Sequence, residues 1–251
     1  MLRTDRFISE NTEYTRSQAK ELLKKGKITV NGEKIKDGKF QINPETDVVA
    51  IDGEKISVKG SIVLAMNKPK GYVCATEDKN EKTVMELLPD EYKNQGLFPA
   101  GRLDKDTTGL VILTNDGDLA HKIISPKKHT SKHYLVTLAR KYETEYEEKF
   151  KNGIVLSDGT KCKEAEVYLF NEEKNQCIVK LTEGKYHQVR RMFAACGNHV
   201  ENLHRFAIGN YVLSDKIALG ECVVLLHKEI CDLLTISERT FFNNEFWTFF
   251  R

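Results

Sequence analysis

Gly101-Arg102-Leu103-Asp104-Lys105-Asp106-Thr107-Thr108-Gly109-Leu110 runs directly into Val111-Ile112-Leu113. An acid flanked by cations and hydroxyls, between two glycines and ahead of an apolar run, is how a chain presents one carboxylate at the mouth of a cleft. Asp104 is the candidate. The plain alternative is a turn whose Asp and Thr side chains bond their own backbone, and for a lone Asp that is the commoner case.

Three further stretches decide between them. Asn67-Lys68-Pro69-Lys70-Gly71-Tyr72-Val73 lies upstream, and Lys132-His133-Tyr134-Leu135-Val136 and Glu183-Gly184-Lys185-Tyr186-His187-Gln188-Val189-Arg190-Arg191-Met192 lie downstream. With the Asp104 stretch, and in this order, they resemble the RNA pseudouridine synthases of the RsuA type. The resemblance implies an α+β catalytic domain with a mixed, mostly antiparallel sheet. It implies an isomerase that breaks the bond from ribose C1′ to uracil N1, turns the base and rejoins it through C5, with no metal, cofactor or group donor.

The same resemblance assigns roles. Asp104 matches the carboxylate that either attacks C1′ or removes the 2′ proton. Tyr134 matches a tyrosine that stacks on the uracil and lies where a C5 proton is taken. A carboxylate against an apolar wall needs a cation to stay ionised, and Arg190 matches that partner, while Arg191 faces phosphate or solvent. Arg102 matches the arginine that fills the space left by the flipped base. Lys68, in a Lys-Pro-Lys-Gly turn, and Lys132 are read as further substrate contacts.

Composition sets the outer bounds. The 251 residues suffice for one large domain and one small one, with 40% hydrophobic content for a core. Six cysteines at 74, 162, 177, 196, 222 and 231 form no CxxC pair, which reads as core thiols in a reducing cytoplasm and not as a zinc or disulfide framework. No transit signal or long apolar span appears. His129 and His133 have helical metal-ligand spacing but no matching acid or cysteine cluster, so phosphate contact or solvation is the reading. No metal site and no obligate protein partner is evident.

A net charge of +2 says little about nucleic acid, but its distribution does. Residues 15–39 carry eight Lys/Arg against three acids, and residues 121–141 carry six Lys/Arg, three histidines and no acid. Two basic stretches suit a surface that follows a phosphate backbone.

Residues 1–60 read as a separate small domain. A helix capped by Thr15 or Ser17 buries Ala19, Leu22 and Leu23 and stops at Gly26, and Asn31-Gly32 signals a hairpin. The string from Lys24 to Gly38 resembles the RNA-binding domain named for a ribosomal small-subunit protein, with Arg16, Lys20, Lys24, Lys25 and Lys27 facing RNA. Residues 52–61 read as a polar linker, and residues 61–236 as the catalytic domain. Within it, Tyr186–Cys196 predicts a helix burying Val189, Met192, Phe193 and Cys196, with His187, Arg190, Arg191 and Ala194 on the other side. Residues 237–251 form an aromatic-rich tail without an assigned role.

The implied target is a single uridine of 16S rRNA, uridine 516 by the resemblance, reached in the cytoplasm on a small-subunit assembly intermediate. Two alternatives stand beside it: a large-subunit 23S rRNA synthase, and a non-enzymatic RNA-binding assembly factor. Asp104, Tyr134 and Arg190 together argue against the second.

Overall fold

The computed structural model describes residues 1–44, 46–57, 60–125 and 130–235. The aromatic tail at 237–251 and the basic residues 127–129 lie outside the described residues. The chain divides into two compact units, Met1–Ser61 and Ile62–Arg251.

In the first unit, strand β1 (Leu2–Arg3) precedes helices α1 (Thr4–Asn11) and α2 (Arg16–Lys24), then β2 (Ile28–Val30), β3 (Glu33–Lys34), β4 (Gln41–Ile42), β5 (Val49–Ile51) and β6 (Glu54–Lys55). The α2 cap is Thr15, whose hydroxyl accepts from Gln18 N while the Gln18 side chain accepts from Thr15 N, a reciprocal capping box. Asn31 and Gly32 take φ of 52° and 86°, the left-handed pair that joins β2 to β3. Phe7, Ile8, Ala19, Leu23, Ile28, Val30, Ile42 and Val49 close a small core.

Two features differ from the sequence reading. Helix α1 has Arg3 at its N-cap with no side-chain cap bond, so it carries no start signal of the usual kind. The linker is shorter than expected, because Asp52 (φ 49°) and Gly53 (φ 90°) make a second tight turn and pair Glu54 with Ile51.

The second unit is built on one nine-stranded sheet. Its elements in order are β7 (Val63–Lys68), a 3-10 turn at Val84–Leu87, α3 (Asp90–Lys93), β8 (Phe98–Pro99), β9 (Thr108–Thr114), α4 (Gly117–Ile124), β10 (Lys132–Leu138), α5 (Glu145–Lys151), β11 (Glu166–Asn171), β12 (Gln176–Leu181), α6 (Gln188–Ala195), β13 (Val200–Ile208), β14 (Tyr211–Val212), β15 (Cys222–Val224) and α7 (His227–Leu234). The strands run β11-β12-β10-β13-β9-β7-β15, with β14 beside β13 and β8 beside β9. Every pairing is antiparallel except β13 with β9. This is the α+β class with the mixed, mostly antiparallel sheet expected from the sequence.

Alternation assigns the two faces. Leu64, Met66, Val111, Leu113, Tyr134, Val136 and Leu203 join one core with Val189, Met192 and Phe193 of α6. Val63, Ala65, Leu110 and Ile112 join the other, beneath α4 and α7. Phe193 fixes α6 in place between Tyr146 (centroids 5.6 Å apart, 83°) and Phe150 (5.0 Å), and the edge-on pairing with Tyr146 suits the ring quadrupoles. Among the described residues no helix is long and apolar enough to cross a membrane. The thiols are not all in the core: Cys74, Cys162 and Cys177 are buried, but Cys231 is exposed.

Candidate active site

Strand register gathers the site. Lys68 pairs with Gly109, Gly109 with Arg205, and Arg205 with Tyr134, so one cross-strand row spans β7, β9, β13 and β10. Two strand spacings, roughly 10 Å, separate the Tyr134 and Gly109 backbones. The Asp104 loop enters β9 at this row, and its Leu103 packs in the same core as Tyr134.

Lys68 corrects the sequence reading. It is fully buried, and its Nζ donates to the carbonyls of Pro69 (2.9 Å), Lys105 (3.2 Å) and Thr107 (2.8 Å). Its side chain continues the inward Leu64–Met66 face of β7 and so meets the underside of the Asp104 loop, where no phosphate or base reaches it. Burial, above all, pushes its pKa below the ordinary lysine value. Gly71 N donates to Lys105 O at 2.9 Å, Leu103 N contacts Cys74 Sγ at 3.3 Å, and Lys105 Nζ meets Glu81 Oε2 at 2.5 Å. The loop is therefore fixed from several sides while Asp104 keeps a side chain 32% exposed.

The expected fork between Arg190 and Asp104 is absent among the described residues. Arg190 Nη1 donates to Val200 O at 2.9 Å and ties α6 to the start of β13. The side-chain partner of Asp104 among the described residues is His187, whose Nε2 lies 3.5 Å from Oδ1. Solvent reaches the carboxylate, which removes the need for a buried counter-ion. Arg191 pairs with Asp158 (Nη2 to Oδ2, 2.5 Å) instead of facing phosphate.

Tyr134 is 8% exposed and lies in the core face of β10. Lys132, two residues earlier on that face, donates to Thr130 O at 2.9 Å, and burial followed by the Arg205 charge pushes its pKa down to about 8. Arg102 is exposed on the Asp104 loop. His133 is buried, its Nε2 3.0 Å from Ser131 Oγ, so it is neither solvated nor a phosphate contact. Burial, chiefly, drives its pKa down to about 3. In the described part of the second basic stretch, Lys132 opens the seven-residue strand β10 and Arg140 lies beyond its far end, so these two cations do not share one spot on the surface.

Arg205 is the residue that the sequence reading missed. It is 4% exposed, Nε donates to Leu110 O at 2.9 Å, and Nη2 has no hydrogen-bond partner among the described residues. The signal was present: an arginine between Leu203 and Phe206 in a buried strand is rare enough to mark a site.

In the first unit Arg16, Lys20, Lys24 and Lys25 are exposed. Lys27 is exposed too, but its Nζ pairs with Asp52 Oδ2 at 2.8 Å, which offsets its charge.

Residues 62–195 match the family model described as RNA pseudouridylate synthase, and residues 5–48 match an S4 domain model. The match sets the class, an RNA-acting isomerase. The ribosomal small subunit pseudouridine synthase A of Vibrio parahaemolyticus is 42% identical over 230 residues, 91% of this chain and 98% of that protein. Its namesake in Escherichia coli is 40% identical over 237 residues, 93% and 100% of the two chains. YtzG of Bacillus subtilis, named as an uncharacterized RNA pseudouridine synthase, is 38% identical over 231 residues, 91% and 97% of the two chains. A crystal structure of a pseudouridylate synthase superimposes with a TM-score of 0.67 at 40% identity, covering 93% of this chain and all of that one. The chain belongs to the RNA pseudouridylate synthase family.

Proposed function

We propose that the protein isomerises one uridine of 16S rRNA, that at position 516, with Asp104 as the reacting carboxylate. The observation that carries the chemistry is the cross-strand row, which brings Tyr134 and the base of the Asp104 loop to one face of the sheet. The C1′–N1 bond breaks, the uracil turns, a C1′–C5 bond forms, the C5 proton leaves and the freed N1 takes up a proton, so atoms balance without an oxidant. Asp104 serves either as nucleophile at C1′ or as base toward the 2′ position, and both routes need the same exposed oxygen. Tyr134 offers a ring face to the uracil and a hydroxyl toward C5. Arg102 fills the stack when the base leaves it. Lys132 holds a phosphate near the cleft, and Arg190 supports the site by seating α6.

The first unit anchors the RNA. Lys20, Lys24 and Lys25 offer open cations for phosphates, with Arg16, 3.9 Å from Asp5, and Lys27, paired with Asp52, weaker contributors. The names of the Vibrio and Escherichia relatives support the small subunit as the source of the RNA. The form of RNA proposed for the cleft is a small-subunit assembly intermediate in the cytoplasm.

Purified protein is incubated with 16S and 23S rRNA separately, each with early assembly proteins, and pseudouridines are mapped by carbodiimide treatment and primer extension. One new stop in 16S rRNA is the expected result. Modification confined to 23S rRNA overturns the target and leaves the enzyme class standing.

A further inference from the structure

We infer that His187 is a positioning residue for Asp104, holding carboxylate oxygen Oδ1 through its Nε2 and leaving Oδ2 for the substrate. The inference rests on the reading of Asp104 as the reacting carboxylate.

His187 occupies the N-cap position of α6 with φ 48° and ψ 36°, left-handed backbone that a side chain other than glycine seldom adopts. Ser, Thr, Asp or Asn at that position turns its side chain back to cap the helix. His187 makes no such bond, and its ring is directed to Asp104 instead, with Nε2 3.5 Å from Oδ1. That distance is long for a hydrogen bond, as such pairs often are before substrate fills a site.

The loop that carries the ring is held by bonds of its own. Buried Gln188 accepts from Lys185 N at 2.8 Å and donates to Glu183 Oε1 at 2.7 Å, while Lys185 Nζ meets Glu183 Oε2 at 2.5 Å. Backbone strain persists where the surroundings over-determine it, and such places concentrate at functional sites. On the outer side the Tyr186 ring stacks on the imidazole, centroids 3.9 Å apart and planes 16° from parallel, which fixes the plane of the ring. Asp104 stands on a loop and is partly open to solvent, so without His187 its carboxylate is free to turn about its own bond. A turned carboxylate presents the wrong oxygen, or the wrong lone pair, to the ribose.

Single-turnover rates at saturating rRNA, with thermal unfolding of each variant, test the role on His187→Gly, His187→Gln and Asp104→Asn. Glycine suits the left-handed backbone, so that variant stays folded. Its rate is expected to fall roughly 10- to 100-fold, the cost of a misplaced reacting group, with the half-saturating RNA concentration unchanged. Glutamine returns an N–H donor at similar reach and is expected to recover most of the rate. A folded glycine variant at the wild-type rate, or one whose whole defect is in RNA affinity, overturns the inference while an inactive Asp104→Asn leaves the underlying reading intact. An active Asp104→Asn overturns both.

Discussion

Lys68 places an ammonium group where water does not reach, and the three carbonyl oxygens around it belong to Pro69 and the loop that presents Asp104. Lys68→Met fills the same space but leaves those acceptors without their donor, which should cost about 3 kcal/mol and loosen the loop. Chemical denaturation should show the reduced stability and a rate assay the reduced turnover, while RNA affinity and its salt slope stay unchanged. A weakened salt slope with normal stability would instead place Lys68 on phosphate. The pH dependence has a fixed sign. The native pKa lies below the ordinary 10.5, so between the two values the unfolded chain binds more protons and this group makes stability rise with pH. Lys68→Met removes that rise. Asp104 was singled out by the four stretches taken together, since on its own surroundings a plain turn is the commoner case. Lys68 was legible only through strand parity: Leu64, Met66 and Lys68 alternate onto one face, and the Lys-Pro-Lys-Gly motif drew the reading outward. Leu203 and Arg205 share a face by the same parity. The bond from Arg190 to Val200 joins two elements and leaves no trace in local sequence.

Among the elements, the junction of β9 with β13 bears most directly on the site, since this parallel pairing sets the Asp104 loop within two strand spacings of Tyr134, with β13 between them. Gly109 makes it possible. At φ 102°, a Cβ there would stand 2.2 Å from Arg205 O, against backbone that cannot yield cheaply. Gly109→Ala should therefore destabilise the second unit by about 3 kcal/mol or more and separate the two strands. Differential scanning calorimetry checks the first effect, and amide exchange along Thr108–Leu110 the second. A variant with wild-type stability would mean that the strands part without cost. Sequence pattern recovered β9 from the apolar run Val111-Ile112-Leu113 and α6 from its buried stripe of helical period. It could not say that β9 and β13 run parallel, because alternation carries no direction. It also began α6 at Tyr186, two residues early, since nothing in Tyr-His-Gln announces left-handed backbone at His187. Helix α1 went unread for want of a polar cap.

Over the whole molecule the charge is nearly balanced, 39 basic residues against 37 acidic, so attraction to RNA depends on where the cations stand. The open ones on and just after α2 belong to a unit with its own closed core. Deleting residues 1–61 should leave a folded second unit, because its sheet and its hydrophobic clusters are built from Ile62 onward. The shortened protein should bind rRNA more weakly. Its dependence of log affinity on log salt should become shallower by roughly 0.7–0.9 for each phosphate that the α2 cations had neutralised. An unchanged slope in filter-binding titrations would show those cations to be solvated bystanders. The two-domain plan was legible from composition and turn signals, whereas the course of the second basic stretch was not, because a strand buries part of it. The most direct test of the central claim is made on the full chain: the rate of pseudouridine formation in rRNA by Asp104→Asn, with binding of the same RNA measured alongside. The amide keeps the shape of the side chain but can neither attack C1′ nor take a proton, so the account predicts no detectable product with RNA affinity preserved. Pseudouridine at the wild-type rate from that variant would contradict it.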